Sequence, residues 1–275
     1  MVGYDVDALY RTIAELRRQG QAAVLVTVVE KEGSGPALPG TKMLVMADGA
    51  TLGTVGGGAL ERLAAQRAIE LLAQRCSLLV RYALGEDGSA TDAEPTGMIC
   101  GGRTGLFYDY LGYELRVCVL GAGHVGSALV DCLKPLHGYV TVVDPRSEMI
   151  AQIAGANRLV TADYVSGLLE VPGDGETYYV IATPGHASDY AVLKRLFSAA
   201  RAPRYVGLIG SRGKVASFVE RLRIELGAGL DLSALYAPAG LDLGGASPEE
   251  IALCIAAEIQ ALRFDRAGNR HLRQV

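Results

Sequence analysis

The sequence has no pair of cysteines at Cys-x-x-Cys spacing. Cys76, Cys100, Cys118, Cys132 and Cys254 stand apart and are odd in number, which argues against a disulfide framework and against a structural zinc site. A functional cysteine would have to act alone or with other ligand types. Excess positive charge is missing too. Acids and bases are interspersed and the formal net charge is -4, so no field exists for a nucleic-acid backbone and no polybasic patch for anionic lipid. No run reaches the roughly 18 uninterrupted apolar residues that a membrane span needs. The first residues carry Asp5, Asp7 and Glu15 among apolar residues at helical spacing, unlike the basic start and apolar centre of a secretion signal. These absences predict a cytoplasmic protein whose partners are small molecules or other proteins, with no nucleic acid and no membrane among them. There is no internal repeat and no low-complexity segment.

What the chain does have is apolar bulk. With 275 residues, half of them hydrophobic, it can fill one large core or two modest ones. Residues 5–19 read as an amphipathic helix with Val6, Leu9, Ile13 and Leu16 on one stripe and Gly20 as its stop. Residues 23–29 form a β-branched run, and residues 42–47 and 51–55 flank Asp48-Gly49, a hairpin signal. Gly56, Gly57 and Gly58 open a helix over 59–74 that buries Leu60, Ala64, Ala68 and Leu71. Strands follow at 78–84 and 104–111, separated by a polar stretch, 85–96, read as an exposed loop with solvated acids. Composition changes near Gly112, which places a mixed α+β domain over 1–112 and a Rossmann-type doubly wound parallel sheet over 113–275. In that second part, strands are expected at 116–120, 139–143, 178–182 and 205–209, with a helix at 124–133. A last helix starts at Ser247-Pro248-Glu249-Glu250, a capping box, and buries Ile251, Ile255, Ile259 and Leu262.

Three places could carry chemistry. Gly121, Gly123, His124 and Gly126 lie in GAGHVG, between an apolar strand and a helix, with Asp144 ending the next strand. Such glycines allow a tight turn and close backbone approach, the helix start favours a phosphate, and the acid would accept a ribose hydroxyl. Arg146 blurs the choice between NAD and NADP, and a scaffold serving another ligand, or none, is the alternative. Loops at Thr183-Pro184-Gly185-His186 and Gly210-Ser211-Arg212 each follow a strand end and should line one crevice, where His186, Arg212 and Lys214 could hold phosphates or a carboxylate. In the bland alternative, His186 and Asp189 only cap a helix. In the first part, Gly56, Gly57 and Gly58 put bare amides at a helix start, a ready anion site or simply turns. Cys100 lies beside Gly101 in GMICGG, a glycine-rich loop where a thiolate could act as a soft metal ligand or a sulfur acceptor.

The strings VTVVEKEGSGPALPGTKMLV, GTVGGGALE and GMICGG, followed by VCVLGAGHVG, VVDPR, ATPGHASDY, YVGLIGSRGK and PAGLDLGGASPEEIALCIAAEI, resemble the XdhC/CoxI family of molybdoenzyme maturation factors. The likeness runs from about Ala23 to Arg263 and rests on the combination and order of the motifs. It implies a non-catalytic chaperone that binds molybdenum cofactor (molybdopterin), protects it while a cysteine desulfurase supplies sulfur, and delivers it to an apo molybdenum hydroxylase such as xanthine dehydrogenase. It also implies a homodimer. Carried onto this chain, Cys100 would contact the molybdenum or assist sulfur exchange, and Gly56, Gly57 and Gly58 would hold phosphate or pterin. Two positions depart from the family pattern. Ala37 and Pro184 stand where arginines are common. The competing readings are an NAD(P)-dependent oxidoreductase with His186 as acid or base, and a nucleotide-sensing interaction protein.

Overall fold

Asp5 starts the first helix by accepting the backbone N–H of Ala8 on its carboxylate. The computed structural model describes residues 5–33, 38–84, 93–96, 102–171, 175–198 and 203–268, so Ala37, Cys100 and Gly101 lie outside the described residues. The chain divides into two compact units, Met1–Glu114 and Leu115–Val275.

The first unit contains α1 (Val6–Arg18), β1 (Ala23–Gly33), β2 (Lys42–Met46), β3 (Thr51–Gly53), α2 (Gly58–Gln74), β4 (Leu78–Ala83), β5 (Glu94–Pro95) and β6 (Gly102–Tyr110). Its sheet has the order β3-β2-β1-β6-β4-β5, antiparallel except for the β4–β5 pair. The β2–β3 turn uses Gly49 at φ 85°, and the Asp48 carboxylate accepts from the Ala50 amide. Alternation on β1 sends Val24, Val26 and Val28 to one face, where Leu60, Ala64, Ala68 and Leu71 of α2 cover them. Leu9 of α1 packs with Ala23 and Leu44 in a separate small cluster. Val6, expected on the same stripe, is instead exposed at the start of the helix. One further expectation is corrected. Glu94 and Pro95, read as loop, pair with the end of β4, and Glu94 is bound by Arg67 at 2.9 Å. Two residues show no periodicity, so only the partner strand defines this element.

The second unit contains β7 (Arg116–Leu120), α3 (His124–Leu133), β8 (Tyr139–Val143), α4 (Ser147–Ile150), β9 (Arg158–Val160), α5 (Tyr164–Gly167), β10 (Thr177–Ile181), α6 (His186–Phe197), β11 (Tyr205–Leu208), α7 (Arg212–Leu226), β12 (Leu235–Tyr236) and α8 (Pro248–Arg263). The sheet is wholly parallel with the order β12-β11-β10-β7-β8-β9. The chain thus runs outward from β7 to β9, then returns to lay β10, β11 and β12 on the other side. That reversal, between β7 and β10, is the topological switch point of a Rossmann-type sheet. The central strands are buried on both faces, as an all-parallel sheet requires. Val117 and Val119 face α3 and α8, whereas Cys118 and Leu120 face α6 and α7.

Helix α8 begins with the expected capping box: Ser247 Oγ accepts from the Glu250 amide and the Glu250 carboxylate accepts from the Ser247 amide. Deeper in α8, the buried carboxylate of Glu258 accepts from the Tyr205 hydroxyl at 2.6 Å and the Gly240 amide at 3.0 Å. This ties the helix to β11 and to the loop after β12. Among the described residues, no helix is long and apolar enough to cross a membrane.

Candidate functional site

The turn after β7 shows which glycines serve the fold and which face open space. A Cβ on Gly121, at φ 121°, would lie 2.2 Å from the Ala182 carbonyl oxygen, and one on Gly126 would lie 1.9 Å from the Gly121 carbonyl oxygen. Both glycines are therefore demanded by strand and helix packing. Gly123 is different: a Cβ there meets nothing within 4 Å, and its φ of -72° suits any residue. We expect Gly126→Ala to lose about 1–3 kcal/mol of stability through overpacking, and Gly123→Ala to stay within about 0.5 kcal/mol of wild type. Urea midpoints decide this. Equal midpoints for all three proteins would contradict the assignment.

Gly123 lines a cleft of about 580 Å³ at the switch point, beside His124, Gly185, His186, Ser211 and Lys214. The cleft stands at the carboxyl ends of β7, β10 and β11, where α3, α6 and α7 begin, and Pro248 brings the start of α8 to it. Helix starts carry partial positive charge and unpaired N–H groups, so this concave surface favours an anion. The loops after β10 and β11, expected to share a crevice, do line this one. Lys214 supplies a largely covered cation, already paired with Asp189, which lines the same cleft. Its Nζ reaches the Asp189 carboxylate at 2.5 Å and the Ile209 carbonyl at 3.0 Å, and Asp189 also accepts from Thr183 Oγ1 at 2.6 Å. Asp189 is therefore the knot between two loops, not a cap. Helix α6 starts at Gly185 without a side-chain cap. Arg212 is exposed and is not among the lining residues, and Gly121, Gly126 and Asp144 are absent from the lining as well.

Asp144 ends β8 in a closed environment. It is fully buried. One carboxylate oxygen accepts from the Arg146 amide and Nε, both at 2.9 Å. The other accepts from the Ala122 amide at 2.8 Å, Arg146 Nη2 at 2.8 Å and the Tyr164 hydroxyl at 3.1 Å. Burial alone pushes this carboxyl up, but the Arg146 guanidinium and the amides of Ala122 and Arg146 outweigh it and hold it down at about 2. Because the folded value lies below the ordinary one, the stabilisation is complete above about pH 4 and is lost as pH falls toward 2. It amounts to about 2 kcal/mol. Asp144→Asn should flatten the stability curve in that window, measured by urea unfolding at successive pH values. An unchanged slope would remove Asp144 from the acid response.

In the first unit, Gly56, Gly57 and Gly58 all have positive φ, at 124°, 75° and 64°, so the run is a conformational requirement. The reading of bare amides is corrected at two positions. The Gly57 amide donates to the Glu61 carboxylate at 3.1 Å, the Gly56 amide donates to Thr54 Oγ1 at 3.1 Å, and Thr54 Oγ1 donates to Glu61 at 2.5 Å. The chain places its own carboxylate where an external anion was expected. The signal is present in the sequence, since an acid in the first turn of a helix commonly folds back on its start. Among the other cysteines, Cys118 is buried on β7, with desolvation pushing its thiol up to about 12. Cys132 and Cys254 lie half-buried on α3 and α8, and Cys76 is exposed after α2. Among the described residues no group of three His, Cys, Asp or Glu side chains is placed to hold a metal ion.

Comparison with known proteins adds a family. Residues 117–259 match the model of the XdhC Rossmann domain, and residues 16–83 match that of the XdhC and CoxI family. The chain is 28% identical to YqeB of Escherichia coli over 263 residues, 94% of this chain and 47% of YqeB. It is 30% identical over 158 residues to a Bacillus subtilis protein named as a probable xanthine dehydrogenase subunit, covering 57% of this chain and 45% of that protein. With the molybdenum cofactor insertion chaperone PaoD of Escherichia coli it shares 36% identity over 81 residues, 30% of this chain and 26% of PaoD. The chain thus spans about half the length, or less, of these curated relatives. A solved structure described as a xanthine dehydrogenase from Bacillus halodurans has the same fold, with a TM-score of 0.51 at 18% identity over 96% of this chain and 97% of that one. The matches cover both units, and the chain belongs to the XdhC and CoxI family, its second unit being an XdhC Rossmann domain.

Proposed function

We propose that this protein is a molybdenum cofactor chaperone that binds the cofactor and hands it to an apo molybdenum hydroxylase of the xanthine dehydrogenase kind. Membership of the family carries the reading, with one relative named a molybdenum cofactor insertion chaperone and another a probable xanthine dehydrogenase subunit. In this reading the first unit offers the pterin the backbone of its glycine run. Cβ positions on Gly57 and Gly58 would meet nothing within 4 Å, so their backbone faces open space. Glu61, already at the Gly57 amide, directs this loop toward the ring system and away from a phosphate. Cys100, next to Gly101, is the molybdenum contact in this reading, since a thiolate is a soft ligand. When bound, the cofactor supplies the metal centre that the target enzyme will use. This chain binds it, screens it from water, and holds it while a cysteine desulfurase provides sulfur. In the second unit the switch-point cleft takes a phosphate-bearing ligand on the starts of α3, α6 and α7, with Lys214, His124 and His186 around it.

The test is to load the purified protein with molybdenum cofactor, pass it through a desalting column, and add it to apo-xanthine dehydrogenase. Retained molybdenum and restored hydroxylase activity are expected. Cofactor that elutes free of the protein, with no gain in enzyme activity over free cofactor, overturns the proposal.

A further inference from the structure

We infer that Arg146 and Tyr164 close the ribose position of this Rossmann unit, so that it refuses dinucleotides and confines its ligand to the β10–β11 side of the switch point. The inference goes beyond the chaperone reading and does not depend on it. In a dinucleotide-binding unit, the acid ending the second strand accepts the ribose hydroxyls of the adenosine half, so its oxygens must face the ligand. Asp144 occupies that place in the chain, after GAGHVG and at the end of β8. Yet its two oxygens, which offer about four acceptor sites, already take five hydrogen bonds, and the residue is fully buried.

The closure is covalent chain on one side and side chain on the other. Ala122 and Arg146 supply backbone N–H groups that a ligand cannot displace without moving the glycine turn. The guanidinium of Arg146 and the hydroxyl of Tyr164, 20 residues beyond Asp144, occupy what remains. A ribose would have to break the two-pronged Arg146–Asp144 contact, which is charge-assisted at both ends. The phosphate of an NADP-type ligand could reach only the outward N–H groups of Arg146, because the Nε and Nη2 groups that face Asp144 are engaged there. Space is provided elsewhere. The cleft is lined by the starts of α3, α6 and α7, and Asp144 contributes nothing to it.

The experiment titrates ADP-ribose, NAD and NADP into the full chain by calorimetry and thermal shift. Wild type should show no binding up to about 1 mM. Arg146→Ser with Tyr164→Phe should gain ADP-ribose affinity by at least about tenfold, and adding Asp144→Asn to that pair should abolish the gain. Tyr164→Phe and Arg146→Ser alone guard against a double variant that fails to fold, and each should show part of the gain. Binding of any of the three ligands by wild type, or no gain in any folded variant, overturns the inference. Neither result bears on whether molybdenum cofactor is retained.

Discussion

A Cys100→Ala protein should bind molybdenum cofactor about tenfold or more weakly, a loss of at least about 1.4 kcal/mol in the hold on the metal, and should carry correspondingly less of it into transfer. A thiolate has no neutral isostere for a soft metal, and an alanine offers only a methyl group. The other cysteines serve as controls because their settings differ. Cys118 is sealed inside β7, where burial keeps it a thiol. Cys132 and Cys254 are half-buried members of helices. Cys76 is exposed after α2 and can be changed at little cost. Cys76→Ala should therefore transfer cofactor like wild type, while Cys100→Ala should retain the thermal midpoint and fail in transfer. Molybdenum content after desalting and the rate of hydroxylase activation read the two steps separately. Transfer by Cys100→Ala at the wild-type rate would take Cys100 out of the mechanism.

The largest effect on stability should come from Lys214→Met. Asp189 is 3% exposed at its side chain and Lys214 11%, so neither charge could be left there alone. Without Lys214, the Asp189 carboxylate keeps Thr183 as its hydroxyl partner but loses the cation. Removing one member of a buried pair costs about 3–5 kcal/mol. Asp189→Asn should cost less, because Lys214 keeps the Ile209 carbonyl and borders the cleft. Replacing both, Asp189→Leu with Lys214→Met, should recover part of the loss, since no charge then remains buried. Urea unfolding measures all three. A Lys214→Met loss under about 1 kcal/mol would mean that the pair is not the structural knot described above.

Features decided by neighbours along the chain are legible in the sequence. The stripe Leu60, Ala64, Ala68 and Leu71 is buried as its spacing requires, and the Ser247 to Glu250 capping box is present with both of its hydrogen bonds. Strand β7 and helix α3 begin and end where the apolar run and the GAGHVG turn place them. Short elements are legible only where a turn signal marks them, as Asp48-Gly49 marks β3. Strands β5, β9 and β12 have two or three residues, too few for periodicity, and they exist because a longer strand offers free edge groups. Side-chain partnerships at a distance are hidden for another reason. Nothing near Asp144 announces Tyr164, and nothing near Asp189 announces Lys214, because each pair meets only after the sheet has formed. The Glu61 contact is intermediate: it is local, seven residues from Thr54, and an acid so near a helix start is a signal in its own right.

Glu258 gives the second unit a built-in reporter. Its carboxylate holds the Gly240 amide from within α8, the same helix whose first residue, Pro248, borders the cleft. Exchange of that amide proton for deuterium requires the loop after β12 to part from α8. A ligand that steadies the start of α8 should slow deuterium uptake at Gly240, although Gly240 is not among the residues lining the cleft. Occupancy of the cleft can thus be followed by mass, in the whole protein, with no label on the ligand.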